Sequence, residues 1–245
     1  IVGYIGYREA FPIIINGLQR LEYRGYDSAG VALFNGELNI YKKKGKVADL
    51  LDFTKDKNIS SNIGIGHTRW ATHGVPNDIN AHPHKSQSKK IALIHNGIIE
   101  NYESIKKELT QRGHYFESDT DTEVLTHLIE EVQKQESVGL FEAVRLALYE
   151  VIGAYAIAVI EECNPNEIIV AKKGSPLVVG VGEDEFFLAS DATPIIQYTK
   201  NVVYLEDGEI ARLKIGKDME LKTIENVEKT PYIQELEMNL EAIEK

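Results

Sequence analysis

The period of the apolar residues changes along this chain, and that change constrains the fold more than any single motif. Up to residue 100 the apolar residues fall mostly in strand-length runs, at 1–6, 31–34, 38–42, 63–66 and 91–94. From 102 to 148 they recur three and four apart, in three sets. These are Tyr102, Ile105 and Leu109, then Val124, Leu125, Leu128, Ile129 and Val132, then Leu140, Phe141, Val144 and Leu148, the spacing of one helix face. Strand-length runs resume at 155–160, 168–171, 177–181, 186–189, 202–205 and 210–213. Strand blocks segregated from a helix block predict stacked α+β layers rather than a doubly wound parallel sheet.

Local signals refine this plan. Pro12 suits a first helical turn, with Ile13, Leu18 and Leu21 on its buried face. Asn35-Gly36 between two apolar runs predicts a hairpin. Residues 47–53 read as a short helix, and Gly113 stands where a helix C-cap would. No repeat or internal linker divides the chain, so residues 1–230 are taken as one domain. Residues 231–245 are acidic and helix-forming and read as a connector.

The 43% hydrophobic content is enough for a substantial core. A net charge of −11 argues against nucleic acid as a partner. No apolar run approaches the roughly 20 residues of a membrane span, so no membrane partner is expected. Cys163 is the only cysteine, which excludes an internal disulfide and fits a reducing, cytoplasmic setting. It sits in the acidic turn Glu161-Glu162-Cys163-Asn164-Pro165 and reads as incidental. The opening Ile1-Val2-Gly3-Tyr4 superficially resembles a trypsin-like mature terminus, but neither a disulfide framework nor Gly-Asp-Ser-Gly-Gly is present.

Polar residues concentrate in four islands. The first is Leu21-Glu22-Tyr23-Arg24-Gly25-Tyr26-Asp27-Ser28-Ala29-Gly30. The second is His67-Thr68-Arg69-Trp70-Ala71-Thr72-His73-Gly74, with Asn80-Ala81-His82-Pro83-His84 close behind. The third runs from His95 through Asn96-Gly97 to Asn101, and the fourth is Ser118-Asp119-Thr120-Asp121-Thr122-Glu123. Arg69, at the exit of a buried strand, offers a planar fork for a carboxylate or phosphate.

Asn96-Gly97 offers a side-chain amide beside a backbone N–H, a donor pair for an oxyanion, although on spacing alone the dipeptide reads as a turn. Residues 119–121 either cap the helix that starts near Thr122 or supply a carboxylate for an ammonium group. Such a carboxylate opposite Arg69 would make a clamp for a free amino acid. The histidines lack CxxC or HExxH spacing, so no metal or other cofactor is expected, and hydrogen bonds to loop backbone are their expected use.

Taken in order, the islands resemble the glutaminase domain of the glutamine–fructose-6-phosphate amidotransferase family, the hexosamine synthases. The resemblance spans nearly the whole chain. It implies an N-terminal-nucleophile hydrolase fold, a four-layer αββα sandwich, with glutamine as substrate and ammonia as the transferred product. It implies that Arg69 binds the glutamine α-carboxylate and Asp121 its α-ammonium, with Thr72 and His73 lining the same pocket. Asn96 and the Gly97 amide would form the oxyanion hole, Trp70 would gate ammonia passage, and Arg24 would order the nucleophile's surroundings.

That family begins Cys-Gly-Ile-Val-Gly, with the cysteine as nucleophile and its own amine as base. This sequence begins Ile1-Val2-Gly3. The expectation is that a Cys-Gly pair precedes Ile1, the alternative being a non-catalytic glutamine-binding module. The resemblance further implies a following sugar-phosphate isomerase domain, through which fructose 6-phosphate would be the acceptor, and a homo-oligomeric full-length protein. Another amidotransferase of the same class, of the phosphoribosyl-pyrophosphate or asparagine-synthesis type, is the runner-up.

Overall fold

The computed structural model describes residues 1–70 and 74–237. Its strands are β1 (Val2–Ile5), β2 (Ser28–Phe34), β3 (Leu38–Lys44), β4 (Ile63–Arg69), β5 (His84–Lys85), β6 (Ile91–Ile99), β7 (Gly153–Glu161), β8 (Glu167–Lys173), β9 (Val178–Val181), β10 (Phe186–Ala189), β11 (Asn201–Tyr204), β12 (Glu209–Lys214), β13 (Glu220–Thr223), β14 (Glu228–Lys229) and β15 (Gln234–Glu235). The helices are α1 (Ala10–Leu21), α2 (Val47–Phe53), α3 (Tyr102–Gln111), α4 (Asp121–Glu136) and α5 (Leu140–Tyr149). One sheet runs β15-β11-β9-β10-β1-β4-β2-β3 and the other β14-β13-β12-β8-β7-β6-β5. Paired strands in both are antiparallel.

Period-two alternation divides the apolar residues among three cores. Ile63 and Ile65 of β4 meet Ala92 and Ile94 of β6 in the layer between the sheets. The opposite faces take the helices. Ile14 and Leu18 of α1 pack with Val31 and Leu33 of β2, while Leu125 and Ile129 of α4 and Val144 of α5 pack with Leu93 and Ile157. The result is the four-layer αββα sandwich that the segregated blocks imply.

The hairpin at Asn35-Gly36 and the helix α2 stand where the sequence puts them. Asn96-Gly97 does not form a turn. Strand β6 continues through both residues to Ile99, paired with β7 over its whole length. Gly97 holds φ at +128°, and a Cβ there would lie 2.1 Å from the Ala154 carbonyl, so glycine lets the ladder pass this point.

The connector departs from its expected helix. Gln234–Glu235 is a strand paired to β11, and Leu236 packs against the α1 core. An edge strand with open backbone groups captures this segment despite its helical propensity. Residues 238–245 lie outside the described part. The short strands β5, β13, β14 and β15 carry too few residues for a periodic signal. Among the described residues no helix is long and apolar enough to cross a membrane.

Candidate active site

Strand β1 lies mid-sheet between β10 and β4, and Ile1, the residue just before it, lines a cavity of about 230 Å3. All four polar islands reach this cavity. The first supplies Arg24 and Gly25, the second His67, Arg69, Trp70 and His82, the third His95, Asn96 and Gly97, and the fourth Thr120, Asp121 and Thr122. Ile1 and Ser190 complete the wall. Arg69, Asp121, Asn96, Gly97, Trp70 and Arg24 are thus brought together as the sequence reading requires. Thr72 and His73 lie outside the described residues.

Arg69 ends β4 and is 4% exposed. Its Nη2 donates to the Gly74 carbonyl at 3.2 Å, and Nη1 stands 3.8 Å from Asp27 Oδ1. Burial lowers its pKa, while Asp27 and Asp121 oppose the shift by favouring the cation. Asp121 is the first residue of α4, and its Oδ2 accepts from the Ile99 N–H at 2.8 Å. Capping falls to Thr120, whose hydroxyl accepts from the Glu123 N–H. The helix end therefore carries both a cap and a carboxylate in the cavity wall, where the helix dipole favours negative charge.

The third island divides by strand alternation. Asn96 follows Ile94 on the inter-sheet face of β6, and its Oδ1 accepts from His67 Nε2 at 2.7 Å. His95 faces α4, with Nδ1 3.0 Å from Thr122 Oγ1 and Nε2 3.3 Å from the Ala154 carbonyl. His82 stacks on His67, with ring centroids 4.2 Å apart and planes 18° from parallel, while His84 Nε2 lies 3.1 Å from Thr120 Oγ1.

The histidines bond both backbone and side chains: His95 Nε2 lies 3.3 Å from the Ala154 carbonyl and His82 Nδ1 accepts from the His95 N–H at 3.4 Å, while Asn96, Thr120 and Thr122 supply the side-chain partners. Burial above all drives His67, His82 and His84 well below 6.5. Among the described residues no three His, Cys, Asp or Glu side chains form a group that could hold a metal ion.

Ile1 N lies 3.4 Å from Ser190 Oγ, and the Ser190 N–H donates to the Ile1 carbonyl at 3.1 Å. Arg24 is held by an ion pair to Asp191 and by Tyr23, whose hydroxyl accepts from Nε at 3.0 Å. Trp70 is 69% exposed and lies across Gly25, where a Cβ would come within 2.6 Å of the indole. Gly25 also holds φ at +97°, so two constraints favour glycine there.

Ser190 and Asp191 were not foreseen. Their signal is a polar pair at the exit of the apolar strand β10, the same feature that marks Arg69 on β4. Cys163 is exposed and does not line the cavity.

A sandwich of two antiparallel sheets between helix layers, with a charged cavity at the head of a mid-sheet strand, is the architecture of the N-terminal-nucleophile hydrolases. Within that class, the chain belongs to the glutamine amidotransferase domain family, whose model matches residues 52–230.

Its relatives include proteins named glutamine–fructose-6-phosphate aminotransferase (isomerizing). That of Bacteroides thetaiotaomicron is 61% identical over 100% of this chain and 40% of its own length. Those of Chlorobaculum tepidum and Pyrococcus horikoshii are 55% and 47% identical, with coverage of 100% of this chain and 40% and 41% of theirs. The chain thus spans about 40% of the length of the curated relatives it matches. Among solved structures, the glutamine phosphoribosylpyrophosphate amidotransferase of B. subtilis superposes with a TM-score of 0.78 at 29% identity, over 91% of this chain and 48% of that one. A predicted glutamine amidotransferase from Pseudomonas aeruginosa shares the fold at 14% identity, with a TM-score of 0.51 over 79% of this chain and 86% of that one.

Proposed function

We propose that residues 1–230 form the glutaminase half of a glutamine–fructose-6-phosphate aminotransferase, joined through residues 231–245 to a sugar-phosphate isomerase domain. The observation that carries this reading is the convergence of Arg69, Asp121 and Asn96-Gly97 on one cavity at the start of β1. A cation, an anion and an amide donor pair there complement the carboxylate, ammonium and carboxamide of a single glutamine.

In this reading a Cys-Gly pair precedes Ile1 and places a thiol in the cavity. The terminal amine takes the thiol proton, and sulfur bonds to the carboxamide carbon of glutamine. The tetrahedral oxyanion accepts from Asn96 Nδ2 and the Gly97 N–H. Collapse breaks the C–N bond, and the ammonium proton passes to the leaving nitrogen, which departs as ammonia. Water then cleaves the γ-glutamyl thioester, which frees glutamate and restores the thiol.

Arg69 holds the α-carboxylate through its fork and Asp121 the α-ammonium; Thr72 and His73, expected in the same pocket, lie outside the described residues. Arg24, anchored on Asp191, orders the terminus, and Trp70 gates ammonia toward fructose 6-phosphate bound in the isomerase domain. No other cofactor takes part. The full-length protein works as a cytoplasmic homo-oligomer.

The test uses the full-length protein with its terminus established by intact mass. Glutamate release at a mature cysteine, with glucosamine 6-phosphate formed only when fructose 6-phosphate is present, supports the reading. Binding of glutamine without hydrolysis at that terminus would reduce the chain to a binding module. Glutamate release with no sugar product would leave the acceptor to another class.

A further inference from the structure

We infer that His67 is the positioning residue of the oxyanion site, fixing the Asn96 amide from the opposite sheet. The inference rests on the reading of Asn96 as an oxyanion donor. An asparagine amide has two rotamers that occupy the same space, and only one presents N–H groups to the cavity. The other presents a carbonyl oxygen, which would repel the charge that develops there. Strand geometry places the amide at the cavity but does not choose between these rotamers.

His67 makes that choice. It lies on β4 in the first sheet, Asn96 on β6 in the second, and the contact between Nε2 and Oδ1 is 2.7 Å. A carbonyl oxygen only accepts, so Nε2 must carry the proton. The neutral imidazole then has a bare Nδ1, and this atom is buried with no hydrogen-bond partner among the described residues. An Nδ1–H would stand unsatisfied there, at the cost of a buried unpaired donor. The same argument disfavours the imidazolium, as does burial. The stacked His82 ring holds the plane of His67.

His67 is 3% exposed, and its bond to Asn96 ties the two sheets together where the inter-sheet core gives way to the cavity. One histidine tautomer thereby sets the polarity of a catalytic amide without touching substrate.

The test measures glutamine hydrolysis by the full-length protein in four variants. His67→Phe keeps the ring and the stack on His82 but removes the donor. His67→Gln restores an N–H at the position of Nε2. Asn96→Ala and the double variant complete a cycle. The expected result is a kcat loss on the order of 100-fold in His67→Phe with KM little changed. His67→Gln recovers most of it, and His67→Phe has no further effect in the Asn96→Ala background.

Equal losses from His67→Phe in both backgrounds would overturn the inference, as would full activity in His67→Phe. An Asn96→Ala variant with full kcat would instead remove the oxyanion reading on which it rests. If His67→Phe fails to fold by circular dichroism, nitrogen NMR of the wild-type ring decides. Protonation at Nε2 alone from about pH 6 to pH 8 supports the inference, and protonation at Nδ1 overturns it.

Discussion

Helix α4 has histidine clusters at two places along its length, and their nearest partners differ. At its N-terminus, His82, His84 and His95 meet the hydroxyls of Thr120 and Thr122, while His67 stacks on His82 and bonds the Asn96 amide. Further along, His127 pairs with His114, their Nδ1 atoms 3.0 Å apart. There the outer nitrogens face carboxylates, His114 toward Glu131 at 3.0 Å and His127 toward Glu123 at 3.7 Å. Burial keeps His67, His82 and His84 of the first cluster neutral. In the second, burial also pushes His127 down, while Glu123 opposes it. A count of histidines cannot separate these roles, because the partner rather than the ring decides what the ring does.

The largest break between the two regions comes at Asn96. Asn96→Ala should lower kcat for glutamine hydrolysis on the order of 10²–10³-fold with little change in KM, as initial rates of glutamate release would reveal. Next comes Arg69→Lys, which keeps the charge and loses the fork. Glutamine affinity measured by calorimetry should fall about 10- to 100-fold, the value of one or two charge-assisted hydrogen bonds. Unchanged affinity would refute the clamp.

The pH dependence of stability sharpens the same contrast. His67, His82 and His84 have folded-state pKa values well below 6.5, so below that pH the unfolded chain binds protons that the fold does not. Stability is full above this range and is lost as pH falls, by up to about 1.4 kcal/mol per histidine one unit below 6.5. Urea unfolding near pH 8 and near pH 5.5 should show this slope, and His84→Gln should flatten it. Glu131 acts lower on the scale. Its pKa is depressed first by the hydrogen bond from His114, so its contribution holds above the ordinary carboxylate range and is lost only as pH falls through its folded value.

The smallest effect is expected at His114. His114→Gln should cost about 1 kcal/mol of stability in thermal unfolding and leave kcat unchanged. A kcat loss there would erase the distinction between the clusters.

Much of this was legible in residue order. Apolar runs gave the strand blocks and helical spacing gave α3, α4 and α5, because both periods are local properties. Arg69 and Asp121 were legible as charged groups at element ends, where side chains emerge from a packed layer. On spacing alone Asn96-Gly97 reads as a turn, because local statistics carry no information about the β7 partner that keeps the strand going. Ser190 and Asp191 went unseen for a related reason. Their relevance depends on β1 lying beside β10, with Val2 opposite Ala189, and no local pattern specifies that pairing. Gln234 and Glu235 pair with β11 rather than starting a helix because their helical propensity is weak beside its open ladder groups.

The sequence by itself determined that this chain stacks α and β layers and carries the cation, anion and amide donors that a glutamine requires. Periodicity and side-chain chemistry reside in each segment and survive without a fold. Only the tertiary structure decided that His67 faces Asn96, that Ile1 lies among all four islands, and that burial keeps His67, His82 and His84 neutral. Those outcomes depend on which faces two sheets turn toward each other, and that is settled by long-range strand order and burial together.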